Sequence, residues 1–137
     1  MLLALLAIVI TFANQVNAAE EGEVVLSEVH DFQGEQIHAI TLKEAKAMAV
    51  WDPATQDPPL SIAKGIQAAK KWLKLKGLDK EATLDDISLK TPNGEGMENK
   101  WFYVFMYYTP PAKPSEFPRA VRIIVLMDGR VVDVKGK

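Results

Sequence analysis

The chain has 137 residues, of which 48% are hydrophobic and 25% are charged, a composition that is typical of one globular domain rather than a disordered chain. A formal net charge of -2 provides no basic field that would favour nucleic acid or an anionic membrane as a partner. The absence of cysteine excludes disulfides, thiol catalysis and thiolate metal sites.

Residues 1–18 have the pattern of a secretory signal peptide. An apolar run at residues 2–10 is followed by polar residues, and Val16-Asn17-Ala18 places small residues three before and one before a cut after Ala18. The run is shorter than the roughly 20 apolar residues that a membrane span needs. The start of the chain has no Lys or Arg, and a buried N-terminal helix is the alternative. We therefore expect an exported protein, periplasmic or extracellular, with no stable membrane span after signal removal.

Residues 19–60 are predicted to contain one short helix and a linker, and to form a single globular domain with residues 61–137. The sequence VVLSEV at 24–29 is a possible extra strand. Thr41 and Glu44 fit a capping box. In this motif the Thr41 hydroxyl accepts a hydrogen bond from the Glu44 amide, and the Glu44 carboxylate accepts one from the Thr41 amide. The helix should end before the proline-rich linker at 53–59, because the residue before a proline disfavours the helical conformation.

The main predicted helix covers residues 61–76. Its apolar residues recur at helical spacing and comprise Ile62, Ile66, Ala69 and Leu73. Gly77 is placed for a left-handed C-cap. Four lysines lie on the opposite side: Lys64, Lys70, Lys71 and Lys74. We interpret this side as a solvated face whose positive charges also stabilise the C-terminal end of the helix. The alternative is that the lysines form a site for an anionic ligand.

Four antiparallel strands are predicted after this helix. They cover residues 87–90, 101–108, 119–127 and 130–134. The proline-rich segment 109–118 should form a stiff, extended loop between the second and third strands. Asp128-Gly129 predicts a type I′ hairpin turn. The predicted fold class is therefore α+β, with one main helix packed on a four-stranded antiparallel meander, a short N-terminal helix and a possible extra strand.

Alternation along the central strand divides its side chains between two faces. Phe102, Val104 and Met106 are predicted to face the helix, together with Val121, Ile123, Val125 and Met127 of the next strand. The other face should carry an aromatic stripe, which consists of Trp101, Tyr103, Phe105 and Tyr107. An uncovered stripe of this size would mark a binding or dimer surface. The alternative is that apolar residues within 24–37 fold over it as a second core layer.

Few residues indicate catalysis or metal binding. One cluster in the sequence resembles a set of metal ligands, and it consists of Glu28, His30, Asp31 and His38. Glu28 and His30 would share one face of a strand, but the spacing fixes no third ligand, and residues 30–35 are predicted to form a turn. No GxSxG elbow, phosphate-binding glycine loop or dinucleotide fingerprint occurs. We therefore predict no catalytic residue, metal or cofactor, and a small hydrolase or metal protein centred on His30 and His38 is an alternative.

The segments SIAKGIQAAKKWL, KWFYVFMYY and RIIVLMDGRVV, between Ser61 and Val134, resemble PepSY-type domains in their order and spacing. Those small exported modules have an alanine-rich helix, a Tyr/Val strand and a terminal strand that turns at Asp-Gly. The resemblance implies a non-catalytic module that binds or inhibits other proteins, often proteases. The proline-rich segment 109–118 departs from the family pattern, because it is longer than a hairpin would need.

The sequence thus predicts an exported, non-enzymatic domain of the cell envelope that binds or inhibits another envelope or secreted protein. The predicted binding residues are Trp101, Tyr103, Phe105, Tyr107, Phe117 and Arg122. Aromatic side chains supply interface energy at low entropic cost, and a stiff loop loses little freedom on binding. A self-associating structural protein, pairing as a homodimer through a free sheet face, is the alternative.

Overall fold

The computed structural model describes residues 22–136. The elements are β1 Glu23–Asp31, β2 Gly34–Thr41, α1 Leu42–Ala47, α2 Ile62–Leu75, β3 Thr83–Lys90, β4 Phe102–Thr109, β5 Arg119–Leu126 and β6 Val131–Val132. β1 and β2 form a two-stranded antiparallel sheet, and the other strands form a four-stranded antiparallel sheet in the order β3-β4-β5-β6. The predicted signal peptide lies outside the described residues. Within them, neither helix is long and apolar enough to cross a membrane.

The predicted fold class is wrong. Two antiparallel sheets dominate the structure, and the helices contain only 6 and 14 residues, so the protein is mostly sheet rather than one main helix on a four-stranded meander. The difference arises in the N-terminal part, where a possible strand and a turn are predicted but strands of 9 and 8 residues form. A bulge between Val25 and Ser27 shifts the register. It therefore interrupts the alternation by which a strand is recognised.

α2 begins and ends as its sequence predicts. The Ser61 hydroxyl accepts a hydrogen bond from the Lys64 amide at the N-cap. At the other end, Gly77 has a φ of 70°, and the Leu78 amide donates to the Leu73 carbonyl at 2.9 Å. This is the Schellman arrangement that a glycine after the last turn favours.

α1 begins with the predicted capping box. The Glu44 amide donates to the Thr41 hydroxyl at 3.1 Å, and the Thr41 amide donates to the Glu44 carboxylate at 2.7 Å. The bond from the Thr41 amide, and then the nearby Arg130 guanidinium, lower the pKa of Glu44. The helix stops at Ala47, before the proline-rich linker at 53–59, as predicted.

The β5–β6 hairpin forms at Asp128-Gly129, but the predicted type I′ turn does not. Gly129 has a φ of 88°, whereas the φ of Asp128 is not positive, and type I′ needs positive φ at both central residues. Instead, the Gly129 amide donates to the Leu126 carbonyl, and the Arg130 amide donates to the Asp128 carboxylate, both at 2.9 Å. The connection is longer than a two-residue loop and is built around a turn of the type I class.

Both faces of the four-stranded sheet are covered. α2 packs on one face, where the buried residues include Tyr103, Phe105, Tyr107, Ile123 and Val125. The two-stranded sheet and α1 pack on the other face, where Leu26 and Ile40 meet Phe102, Val104, Ile124 and Leu126. The protein therefore has three layers, with the four-stranded sheet in the middle.

The predicted assignment of faces in the central strand is wrong, although that of its neighbour is right for Val121, Ile123, Val125 and Met127. Phe105 pairs with Ile123 in the antiparallel register, and residues directly opposite one another share a face. The aromatic stripe therefore lies beneath α2. Gly65 makes room for it, because a Cβ atom at that position would be 2.8 Å from Cζ of Phe105.

Candidate functional site

Two large aromatic side chains are exposed at one end of the molecule. Phe32 lies in the β1–β2 turn and Phe117 in the loop between β4 and β5, and each is 78% exposed. Both line a groove of about 650 Å³, termed here the phenylalanine groove. Its other lining residues are Gln33, Gln36, Ser115, Glu116 and Arg119. The groove thus lies between the β4–β5 loop of the four-stranded sheet and the β1–β2 turn of the two-stranded sheet.

Local backbone structure holds both phenylalanines away from the core. In the β1–β2 turn, the Asp31 carboxylate accepts from the Gln33 amide at 2.8 Å, and Gly34 has a φ of 107°. Asp31 pairs with Gly34, so Phe32 and Gln33 form the tip of this two-residue turn. In the other loop, the Glu116 amide donates to the Lys113 carbonyl at 3.0 Å. Prolines at 110, 111, 114 and 118 further limit the conformations of that loop.

Arg119 gives the phenylalanine groove a cationic group. Within residues 22–136, it forms no ion pair. An adjoining groove of about 430 Å³ shares Arg119, Gln33 and Gln36 with the first and extends to Trp72 and Arg122. Guanidinium groups bind carboxylates through two parallel hydrogen bonds, so an apolar contact area lies next to a potential carboxylate site.

Arg122, a predicted binding residue, connects the two sheets. Its Nη1 donates to Oγ of Ser27 at 2.8 Å, and Ser27 pairs with His38 across the two-stranded sheet. His38 is 2% exposed. Neither Nδ1 of His38 nor Nε of Arg122 has a hydrogen-bond partner in the described part of the chain. Arg122 therefore contributes mainly to the packing of one layer on another.

His38 is held neutral between the layers. Burial lowers its pKa below the ordinary value of 6.5, and the charge of Arg122 lowers it further, while the charge of Asp133 opposes both effects. An imidazole whose folded-state pKa is lowered binds fewer protons in the folded state than in the unfolded state at pH values between the two pKa values. Protonation therefore favours unfolding.

We expect His38 to make stability depend on pH. As the pH falls from 7.5 to 5.5 through the unfolded-state value of 6.5, the free energy of unfolding should decrease, at most by about 1.4 kcal/mol per pH unit. Urea unfolding in a His30→Gln background, which removes the other histidine, measures this dependence. Adding His38→Gln should flatten it. An unchanged slope in the double variant would show that other groups cause the dependence.

Three of the four residues of the aromatic stripe are buried rather than exposed. Tyr103, Phe105 and Tyr107 are almost completely buried, and burial raises the pKa of both tyrosines. The Tyr103 hydroxyl donates to the Leu60 carbonyl at 2.7 Å. Trp101 is half-buried, with its ring centroid 6.5 Å from that of Trp51. The stripe is covered, as the predicted alternative required, but by α2 rather than by residues 24–37.

The predicted metal-ligating residues do not come together as a set. His38 points inward, and Asp31 takes part in the turn. Nε2 of His30 lies 2.8 Å from a carboxylate oxygen of Glu28 and 3.7 Å from one of Glu35. The hydrogen bond that His30 donates to the Glu28 carboxylate, together with the charge of Glu35, raises the pKa of His30. Only the pairing of β1 with β2 brings Glu35 to this position, so no motif in the sequence could have identified it.

The lysine face of α2 is exposed as predicted. Lys64, Lys70, Lys71 and Lys74 are all exposed, and none of them forms an ion pair with a residue in the range 22–136. Lys76 alone on this helix lies near a described carboxylate, 3.8 Å from Asp133. This arrangement agrees with a solvated face and identifies no ligand.

No family model matches the sequence, and no curated protein or solved structure matches it either. One predicted alternative, pairing of two copies through a free face of the sheet, lacks the surface that it needs, because both faces of the four-stranded sheet are covered within the described residues.

Proposed function

We propose that the protein is an exported, non-enzymatic module that binds another envelope or secreted protein through the phenylalanine groove. The observation that carries the proposal is the exposure of Phe32 and Phe117 on two separate loops that line one groove. The resemblance of residues 61–134 to PepSY-type modules supports a binding or inhibitory role, and a protease is one class of partner that it implies.

The two phenylalanines have the properties of interface anchors. Large aromatic side chains dominate binding energy when a partner desolvates them. Each has only two side-chain torsions, so little rotamer freedom is lost on binding. The prolines and turn hydrogen bonds of the two loops reduce the backbone entropy that binding would otherwise remove. The groove is therefore suited to an apolar side chain of the partner.

The charge of Arg119 defines a second feature of the partner. A carboxylate of the partner, beside its apolar side chain, would pair with this guanidinium. The amides of Gln33 and Gln36 lie in the same groove and can complete the hydrogen bonds. We thus expect an extended peptide segment with an apolar residue next to an acidic residue or a free carboxyl terminus.

A peptide display library, selected on the intact chain, tests this function directly. Selected peptides should be enriched in an apolar residue beside a carboxylate. In fluorescence anisotropy, Phe32→Ala and Phe117→Ala should each weaken their binding by about 30-fold, the effect of an interface hot spot. Arg119→Gln should weaken binding less at high salt than at low salt, because salt screens exposed charges.

Leu75→Ala is the matched control for these variants. Leu75 is 77% exposed and lies on α2, outside the groove, so its replacement removes an equally exposed apolar side chain and should leave the affinity unchanged. If the Phe32→Ala/Phe117→Ala double variant binds the selected peptides as tightly as the original chain, the phenylalanine groove is not the binding site.

A further inference from the structure

We propose that Glu28, His30 and Glu35 form a binding site for a divalent transition-metal ion of the zinc class. The site is independent of the phenylalanine groove. His30 and Glu35 are directly opposite in the register of β1 and β2, and Glu28 precedes His30 by two residues, so all three side chains leave the same face of the two-stranded sheet. One ligand atom from each lies within 4.8 Å of the other two.

The separations between these atoms fit a tetrahedral ion. Zinc lies about 2.0–2.2 Å from nitrogen and oxygen ligands, so two of its ligands are about 3.3–3.5 Å apart at a tetrahedral angle. The distances from Nε2 of His30, 2.8 Å to Glu28 and 3.7 Å to Glu35, lie on either side of this range. Small rotations of these exposed side chains would equalise them without moving the backbone.

The donor types select the class of ion. One imidazole nitrogen and two carboxylate oxygens suit zinc and its neighbours, whereas calcium requires six to eight oxygen ligands and magnesium retains most of its water. Two carboxylates and a neutral imidazole carry two negative charges, which balance a divalent cation. Three protein ligands leave a fourth position for water.

Metal binding would join β1 to β2. Two ligands come from β1 and one from β2, and an isolated two-stranded hairpin is only marginally stable. A bound ion stabilises the state that holds its ligands together. It should therefore slow hydrogen exchange of the amides near the β1–β2 turn while leaving those of β4 and β5 unchanged.

Titration of the untagged chain with zinc chloride, followed by calorimetry and by NMR of the imidazole protons, tests the site. We expect one zinc ion per chain. The chain has two histidines, and only the ring signals of His30 should shift. His30→Gln and Glu35→Gln should each weaken binding by roughly 100-fold or more, because loss even of an outer hydrogen-bond partner of a ligand costs 10- to 100-fold.

Glu23→Gln is the matched control, since it removes a carboxylate from β1 outside the cluster and should leave the affinity unchanged. The proposal is overturned if the original chain binds no zinc, if the ring signals of His38 shift instead, or if His30→Gln binds zinc as tightly as the original chain. Because the three residues are exposed, the variants should fold, and their circular dichroism spectra would verify this. Failure of the peptide experiments above would not affect this result.

Discussion

Replacing Phe105 with alanine should lower the free energy of unfolding by about 3–5 kcal/mol. The ring is completely buried, lies against Gly65 of α2 and has its centroid 5.5 Å from that of Tyr103. Its removal loses the transfer free energy of the side chain and leaves a cavity between helix and sheet. A domain of this size has about 5–15 kcal/mol of stability in total, so the variant should unfold at much lower urea concentration.

Phe117→Ala is the control for this prediction, because it makes the same chemical change at a site that is 78% exposed. Its free energy of unfolding should stay within about 0.5 kcal/mol of the original value. Tryptophan fluorescence during urea unfolding measures both variants. Equal destabilisation by the two substitutions would mean that Phe105 and Phe117 do not differ in burial, and the three-layer arrangement would be wrong.

Lys100→Met should lower the free energy of unfolding by roughly 2–3 kcal/mol. The side chain is buried, and Nζ donates to the carbonyls of Ala45 and Lys46 at 3.0 and 2.9 Å. The last turn of α1 leaves the Lys46 carbonyl without a helical partner, whereas the Ala45 carbonyl also accepts from the Met48 amide at 3.3 Å. Methionine fills a similar volume and avoids the desolvation of an ammonium group, but it leaves the carbonyl of the completely buried Ala45 without this donor.

The matched control is Lys46→Met. It removes an exposed ammonium group but retains the backbone carbonyl that Lys100 contacts, so the stability should change by less than about 0.5 kcal/mol. Urea unfolding compares the two variants. If Lys46→Met is as destabilising as Lys100→Met, the effect comes from surface charge and not from the capping of α1.

Burial, rather than residue type, distinguishes the aromatic residues that support the fold from those available to a partner. Phe105 and Phe117 have the same side chain, and the surrounding sequence gives both an apolar or proline-rich context. The aromatic stripe has the composition of an interface, yet α2 covers it. The exposed pair includes Phe32, which lies in the segment 24–37 that the sequence offers only as an alternative cover for the stripe.

Local interactions made several features predictable. The capping box at Thr41, the ends of α2 and the position of the proline-rich loop depend on contacts within a few residues, so the order of residue types was sufficient to predict them. The antiparallel pairing of β4 with β5 was also predictable, since two long apolar segments separated by one loop usually pair as neighbours.

The sheet faces and the proposed metal site depended on contacts between residues far apart in the chain. The bulge at Val25 and Ser27 concealed β1, and the pairing of Phe105 with Ile123 set which side of β4 meets α2. Glu35 joins Glu28 and His30 only because β2 folds back on β1. A shift of one residue in a strand exchanges its two faces, and only packing of the layers determines which face is buried.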